Sequence, residues 1–262
     1  MKSKYFLFLF LTLTFIHQTS SIATIRYVSK SGTSTPPYTS WETAADSIQK
    51  CINICVDGDT VYVANGIYKE NLIINTAISL IGSSMDSTVI DGRGMGNNTI
   101  TFNIHGKIEN FNIYGYAAGI GTAVYGITAN FPTIEIKQCR ISETLRGIGC
   151  FGIIAENLIL NNLWGGINTS AQPTSYNKIF NCLMCLDRES SNGISLTGPN
   201  YADYYINNNI ILYTGEIFNN PGNGISIGAP RSVHITSNLI SEFGTDVFVE
   251  SPSDTVFIKN NI

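Results

Sequence analysis

One spacing of apolar residues around an asparagine returns through the second half of this 262-residue chain, and it restricts the fold more than any other feature. Apolar side chains stand five and three residues before the mark and another stands two after it, as in Val233, Ile235, Asn238 and Ile240, or Tyr204, Ile206, Asn209 and Ile211. Ile134, Ile136, Cys139 and Ile141 repeat it with cysteine at the mark; Asn157, Asn181 and Asn261 hold the same place, and Phe111 holds it once earlier. From residue 139 the successive marks lie 18, 24, 28, 29 and 23 residues apart, the size of one supersecondary unit with insertions. A second series, "YGITA", "RGIGC", "GGINT", "NGISL", "NGISI" and "TDVFV", falls between the marks and is centred on Ile127, Ile148, Ile167, Ile194, Ile225 and Val247. Each unit therefore carries a period-two strand, the asparagine, a second short strand, a variable loop and a glycine-led third strand. Three short strands per turn predict an all-β chain, a right-handed parallel β-helix whose coils pair with those above and below. The asparagine is expected to take a left-handed bend and to form an amide ladder along the axis.

The first residues read differently. Lys2 and Lys4, an apolar run from Tyr5 to Ile16, and Ser21-Ile22-Ala23 have the build of a secretory signal peptide cut after Ala23. The run is shorter than the ~20 residues of a membrane span, so no membrane anchor is expected and the chain belongs outside the cell or on its surface. The remainder is apolar enough for one elongated, monomeric domain: 44% of the chain is hydrophobic and 13% charged. A net charge of -4 offers no basic face for nucleic acid or anionic lipid. Six cysteines are compatible with three disulfides in an exported chain, with the pairing open, and the lone C-x-x-C at Cys182 and Cys185 reads as structural. His105 and His234 stand alone, so no metal site is expected.

Residues 24–60 are read as a strand followed by a capping helix, and 61–262 as the β-helix. In "SWETAADSIQKCINICVDGD", Ser40 is the expected N-cap, Glu42 falls in the first turn, and Ala45, Ile48, Ile52 and Cys55 follow at helical spacing. A helix over the first coil would cover otherwise open strand edges. At the other end Asn261 is followed only by Ile262, which predicts that further coils continue past this point.

"GDTVYVANGIYKENLIIN" followed by "ISLIGSSMDSTVIDG" resembles the opening coils of the pectin lyase-like superfamily, especially pectin methylesterases and secreted bacterial β-helix proteins. The match covers about residues 40 to 92; the later repeats agree in pattern. The resemblance implies polysaccharide binding in a groove along one strand face, flanked by loops. It also implies, for a pectin methylesterase, a glutamine-containing segment and two aspartates with an arginine on neighbouring coils, and the sequence shows no such set. Calcium enters only through the resemblance to pectate lyases, so no cofactor is assigned.

The outward positions of the glycine-led strands are Thr128, Gly149, Asn168, Ser195, Ser226 and Phe248, a polar and nearly uncharged face. Paired carboxylates for glycoside hydrolysis do not project from it before Glu250. Two consecutive coils carry longer loops, "CLDRESSN" and "YTGEIFNNPGN", which stacking would bring to one side. Asp187, Arg188 and Glu216 are the catalytic candidates there; Glu189, Tyr213 and Phe218, with Asn168, Ser195 and Ser226, are candidates for holding a sugar chain, since rings stack on sugars and guanidinium pairs with uronates. The plain alternative is a solvated hydrophilic turn with aromatics packed on the coil below. Two functions stay open: a lyase, hydrolase or esterase acting on acidic polysaccharide, or a non-catalytic surface scaffold that is adhesive or glycan-binding.

Overall fold

The computed structural model describes residues 22–115, 124–129, 134–150, 152–160, 162–170, 176–186, 192–197, 203–214, 222–228, 230–250 and 255–262. The leader segment read from the sequence lies outside the described residues, apart from Ile22 and Ala23. Three all-parallel sheets run the length of the described chain, and each strand between the two ends of its sheet pairs with its counterparts in the coils before and after. Sheet A runs from Ile25–Val28 to Val256–Lys259, sheet B from Gly66–Tyr68 to Leu239–Ser241, and sheet C from Leu72–Ile74 to Thr245–Glu250. This is the right-handed parallel β-helix, with a single short helix among the described residues.

Isoleucine explains why the coils stack. Ile127, Ile148, Ile167, Ile194, Ile225 and Val247 are register partners in sheet C, and the five isoleucines are fully buried. Ile108, Ile136, Ile154, Ile179, Ile206 and Ile235 form the equivalent column in sheet A. A β-branched side chain is stiff at χ1 and sits well on a pleated surface, which suits a column repeated coil after coil. Each buried isoleucine contributes about 1.5–3 kcal/mol relative to exposure. The glycine before the core isoleucine in the five sheet C strands from Tyr125–Ala129 to Asn223–Gly228 has a steric cause: a Cβ on Gly193 would lie 2.3 Å from Cγ2 of Ile211 and 2.6 Å from the carbonyl oxygen of Gly224.

The corner from sheet A to sheet B takes two residues, and they divide the work expected of one asparagine. The left-handed residue comes first, at Asn110, Gln138, Glu156, Asn181, Asn208, Ser237 and Asn260. The ladder residue follows with its side chain turned inward, and Asn157, Asn209 and Asn238 are almost wholly buried. This corrects the reading of Asn181. It supplies the bend, and Cys182 holds the ladder place: its amide donates to Oδ1 of Asn209 at 3.1 Å, and Ile210 N–H donates to its carbonyl at 2.9 Å. Elsewhere the ladder is regular. Nδ2 of Asn209 donates to Oδ1 of Asn238 at 2.9 Å and to Ile179 O at 3.0 Å; Nδ2 of Asn238 repeats both bonds with Asn261 and Ile206. The ladder amides thus bond backbone that a sharp corner would leave without partners.

The capping helix is shorter than its sequence pattern, spanning Ile48–Ile52 with Ser47 as N-cap. Residues 42–45 do not join it because their backbone is already engaged. Ala45 N–H donates to Tyr27 O and its carbonyl accepts from Ser29, while the carbonyls of Glu42, Thr43 and Ala44 accept from Thr33, Thr35 and Ser34. The acid at the helix start is Glu70, from the following coil, and not Glu42. Its carboxylate accepts from Ser47 Oγ, Ile48 N and Gln49 N at 2.9–3.0 Å, satisfying two first-turn amides with a negative charge.

Candidate functional site on the face of sheet C

The outward column read from the sequence is present as a register column. Thr128 pairs with Gly149, Asn168 with Ser195, Ser195 with Ser226 and Ser226 with Phe248. Ile73 and Thr101 extend it toward the N-terminal end. Asn168, Ser195 and Ser226 are partly exposed, and no carboxylate stands on the described sheet C strands before Asp246. Of the loop residues predicted to flank this face, Asp187, Arg188, Glu189, Glu216 and Phe218 lie outside the described residues. Tyr213 is described, and its ring is 4% exposed and set edge-on to Phe243 at 5.9 Å. It packs inward and offers no platform for a sugar.

A neighbouring column carries the one cation of the described sheet C strands, and the sequence reading passed over it. Tyr125 and Arg146 are register partners directly before Gly126 and Gly147. The Arg146 guanidinium lies over two rings, 5.6 Å from that of Tyr125 and 5.6 Å from that of Trp164, and its Nη1 donates to the Tyr125 hydroxyl at 3.2 Å. Its Nε is buried without a hydrogen-bond partner, while Trp164 is 42% exposed. A guanidinium between aromatic faces is held by cation–π attraction.

The scaffold around this cluster is rigid for reasons that can be named. Gly149 has no side chain where Tyr125 needs room: a Cβ there would stand 2.3 Å from Tyr125 Cε1. Its place in the polar column is therefore a seat for the ring. The corner from sheet B into sheet C is fixed by Thr144 and Asn162, both fully buried. Asn162 Oδ1 accepts from the Thr144 amide at 3.1 Å, and Trp164 N–H donates to Leu145 O at 2.6 Å. These bonds bring together an arginine and a tryptophan eighteen residues apart. The signal available in the sequence was the residue preceding each leading glycine, which is Tyr in "YGITA", Arg in "RGIGC" and polar Asn in "NGISL" and "NGISI".

At the adjoining corner Arg93 bonds Asp91 through Nε at 2.8 Å and Nη2 at 3.0 Å, reaches Glu143 at 3.3 Å, and lies 4.5 Å over the Tyr114 ring. Hydrogen bonding to Arg93 holds the Asp91 carboxyl below its ordinary value, so it is no proton donor near neutrality. Among the described residues no group of three or more His, Cys, Asp or Glu is placed to hold a metal ion. All six cysteines are free thiols. Burial raises Cys139 and Cys150 to about 12 and Cys182 to about 11, which makes them unreactive packing groups.

The fold defines a class: the chain is a right-handed parallel β-helix. Its structure is similar to that of the pectin methylesterase from Aspergillus niger in penultimately deglycosylated form, with a TM-score of 0.57 and 13% identity over 94% of this chain and 87% of that one. The deglycosylated form of that enzyme gives 0.55 and 13% identity over 93% and 86%. No family model matches the sequence, and no curated protein matches it. At this identity the likeness establishes the fold. No helix among the described residues is long and apolar enough to cross a membrane.

Proposed function

We propose that this chain is a secreted protein that binds acidic, pectin-like polysaccharide along the polar face of sheet C, with Arg146 as its carboxylate contact. The observation that carries the reading is the Arg146 guanidinium held between Tyr125 and the half-exposed Trp164, on described sheet C strands that carry no other charge before Asp246. A uronate presents a carboxylate for the fork of an arginine and a pyranose face for an indole ring. The hydroxyls and amide of the Thr128 to Ser226 column suit sugar hydroxyls, and the column runs along the axis as an extended chain would. The likeness to a pectin methylesterase fold supports the same substrate class, and the leader-like N-terminus supports export.

Binding without turnover is the second reading, and a specific observation favours it: the described sheet C strands before Asp246 present no carboxylate to act as acid, base or nucleophile. Under the enzyme reading, catalysis falls to Asp187, Arg188 and Glu216 on the longer loops. The deciding experiment measures binding of oligogalacturonides to wild type and Arg146→Ala by calorimetry, with methanol, reducing ends and unsaturated ends followed in parallel. Loss of affinity by about tenfold in the variant, and weakening with added salt, are expected. Equal affinity in both proteins would overturn the assignment of the face. Product release from pectin establishes an enzyme; binding with no product establishes the scaffold.

A further inference from the structure

Away from sheet C, one carboxylate is completely buried: Asp59, at the end of the loop that follows the capping helix. Both of its oxygens are engaged. Oδ2 accepts from Arg26 Nε at 2.8 Å and from Val56 N at 3.0 Å, and Oδ1 accepts from the backbone nitrogen of Thr24 at 2.7 Å. Arg26 is itself nearly buried and donates to Pro37 O at 2.8 Å. Thr24 is also tied into the sheet, its carbonyl accepting from Thr60 at 3.0 Å, whereas Ile22 is 81% exposed. The chain therefore enters the fold at Thr24, the residue that the small-x-small pattern Ser21-Ile22-Ala23 independently marks as the first after cleavage.

We propose that removal of residues 1–23 turns the Thr24 amide nitrogen into an α-ammonium that clamps onto Asp59, so that processing itself completes the N-terminal cap of the β-helix. In the cleavage step water, delivered by a leader-cleaving protease, adds to the Ala23 carbonyl. The Ala23–Thr24 peptide bond breaks, Ala23 leaves as a carboxylate, and the Thr24 nitrogen takes up protons to become an ammonium. A bond charged only on its acceptor, the Asp59 carboxylate, is thereby replaced at the same place by an ammonium–carboxylate ion pair charged on both sides. Thr24 is half-buried, so the other ammonium protons reach water. The remaining titratable groups around the carboxylate are Arg26 from the first strand, Cys51 from the helix and Cys55 from the loop after it. The carboxylate raises the amine pKa above its ordinary value of about 7.7–8.0, and Arg26, which already offsets the Asp59 charge, limits the gain.

The proposal rests on the export reading above, and the test separates the two. The exported protein is recovered and its N-terminal residue identified by mass; the melting temperature of the chain beginning at Thr24 is then compared, free and N-acetylated, between pH 6 and pH 10. Thr24 is the expected first residue, and the free amine is expected to melt about 3 °C higher at pH 7. Because the folded amine pKa is raised, that advantage is full below about pH 8 and disappears as the pH rises through the folded value. In Asp59→Asn, acetylation is expected to change nothing; if that variant does not fold, the acetylation comparison in the wild type stands alone. A protein retained in the cell with residues 1–23 intact overturns the export reading. Export with a first residue other than Thr24, or equal melting of free and acetylated chains, overturns the clamp alone.

Discussion

Replacing Asn209 by alanine isolates what the inward amide ladder contributes. Asn209 is 1% exposed and makes three side-chain bonds: Oδ1 accepts from Cys182 N at 3.1 Å, and Nδ2 donates to Ile179 O at 3.0 Å and to Asn238 Oδ1 at 2.9 Å. Alanine removes all three and strips one donor and one acceptor of backbone from their partners inside a corner that water does not reach. Each stranded group costs about 1–3 kcal/mol, so a loss of about 3–5 kcal/mol is expected, a large share of ordinary domain stability. The assay is urea unfolding followed by circular dichroism, read as a shift in midpoint at constant slope. Asn208 next to it is the control. It is exposed and left-handed, with φ 55°, so Asn208→Gly is expected to stay within about 0.5 kcal/mol of wild type. A loss below about 1 kcal/mol in Asn209→Ala, or equal losses in the two variants, would refute the separation of bend and ladder between adjacent asparagines.

Cys182→Asn is expected to stabilise the fold by about 1 kcal/mol, because an amide can donate to Ile154 O, where the thiol now stands at 3.7 Å; the urea midpoint measures it. Trp164→Ala is expected to weaken oligogalacturonide binding by about tenfold while leaving the melting temperature within about 2 °C, since the ring is 42% exposed. Glu70→Ala is expected to cost about 1–2 kcal/mol of stability by stripping the helix N-terminus of its carboxylate, with glycan binding unchanged. Burial opposes the charge on Asp59, but bonds from Thr24, Val56 and Arg26 outweigh it and hold its carboxyl below the ordinary value. Its contribution is therefore present above the unfolded pKa of about 3.9 and lost as the pH falls below that through the folded value, which acid unfolding of wild type against Asp59→Asn measures.

Much of this architecture was legible because a β-helix is close to one-dimensional. Every coil must bury the same column and turn the same corner, so the series centred on Ile127, Ile148, Ile167, Ile194, Ile225 and Val247 stands out in the sequence and is the register of sheet C. Resolution fell to one residue at "FNC", where Asn181 and Cys182 both suit a corner and only the hydrogen bonds say which side chain faces inward. The helix was overdrawn for a related reason: periodicity cannot show that the backbone of Thr43, Ala44 and Ala45 is already bonded to the segment preceding it.

The sequence by itself determined the period, the three strand columns, the polar and almost neutral outer face of sheet C, and the glycine before each of its core isoleucines from Ile127 to Ile225. These follow from alternation and from side-chain size, both properties of single residues repeated in order. Only the tertiary structure decided which residues meet: Arg146 with Trp164 across a coil, Glu70 with the helix start, and Thr24 with Asp59 across thirty-five positions. The rise from one coil to the next is fixed by strand pairing at about 4.8 Å, whatever the number of residues in its loops. Contacts between coils are therefore set by register in space, and a chain with loops of unequal length does not carry that register in its spacing.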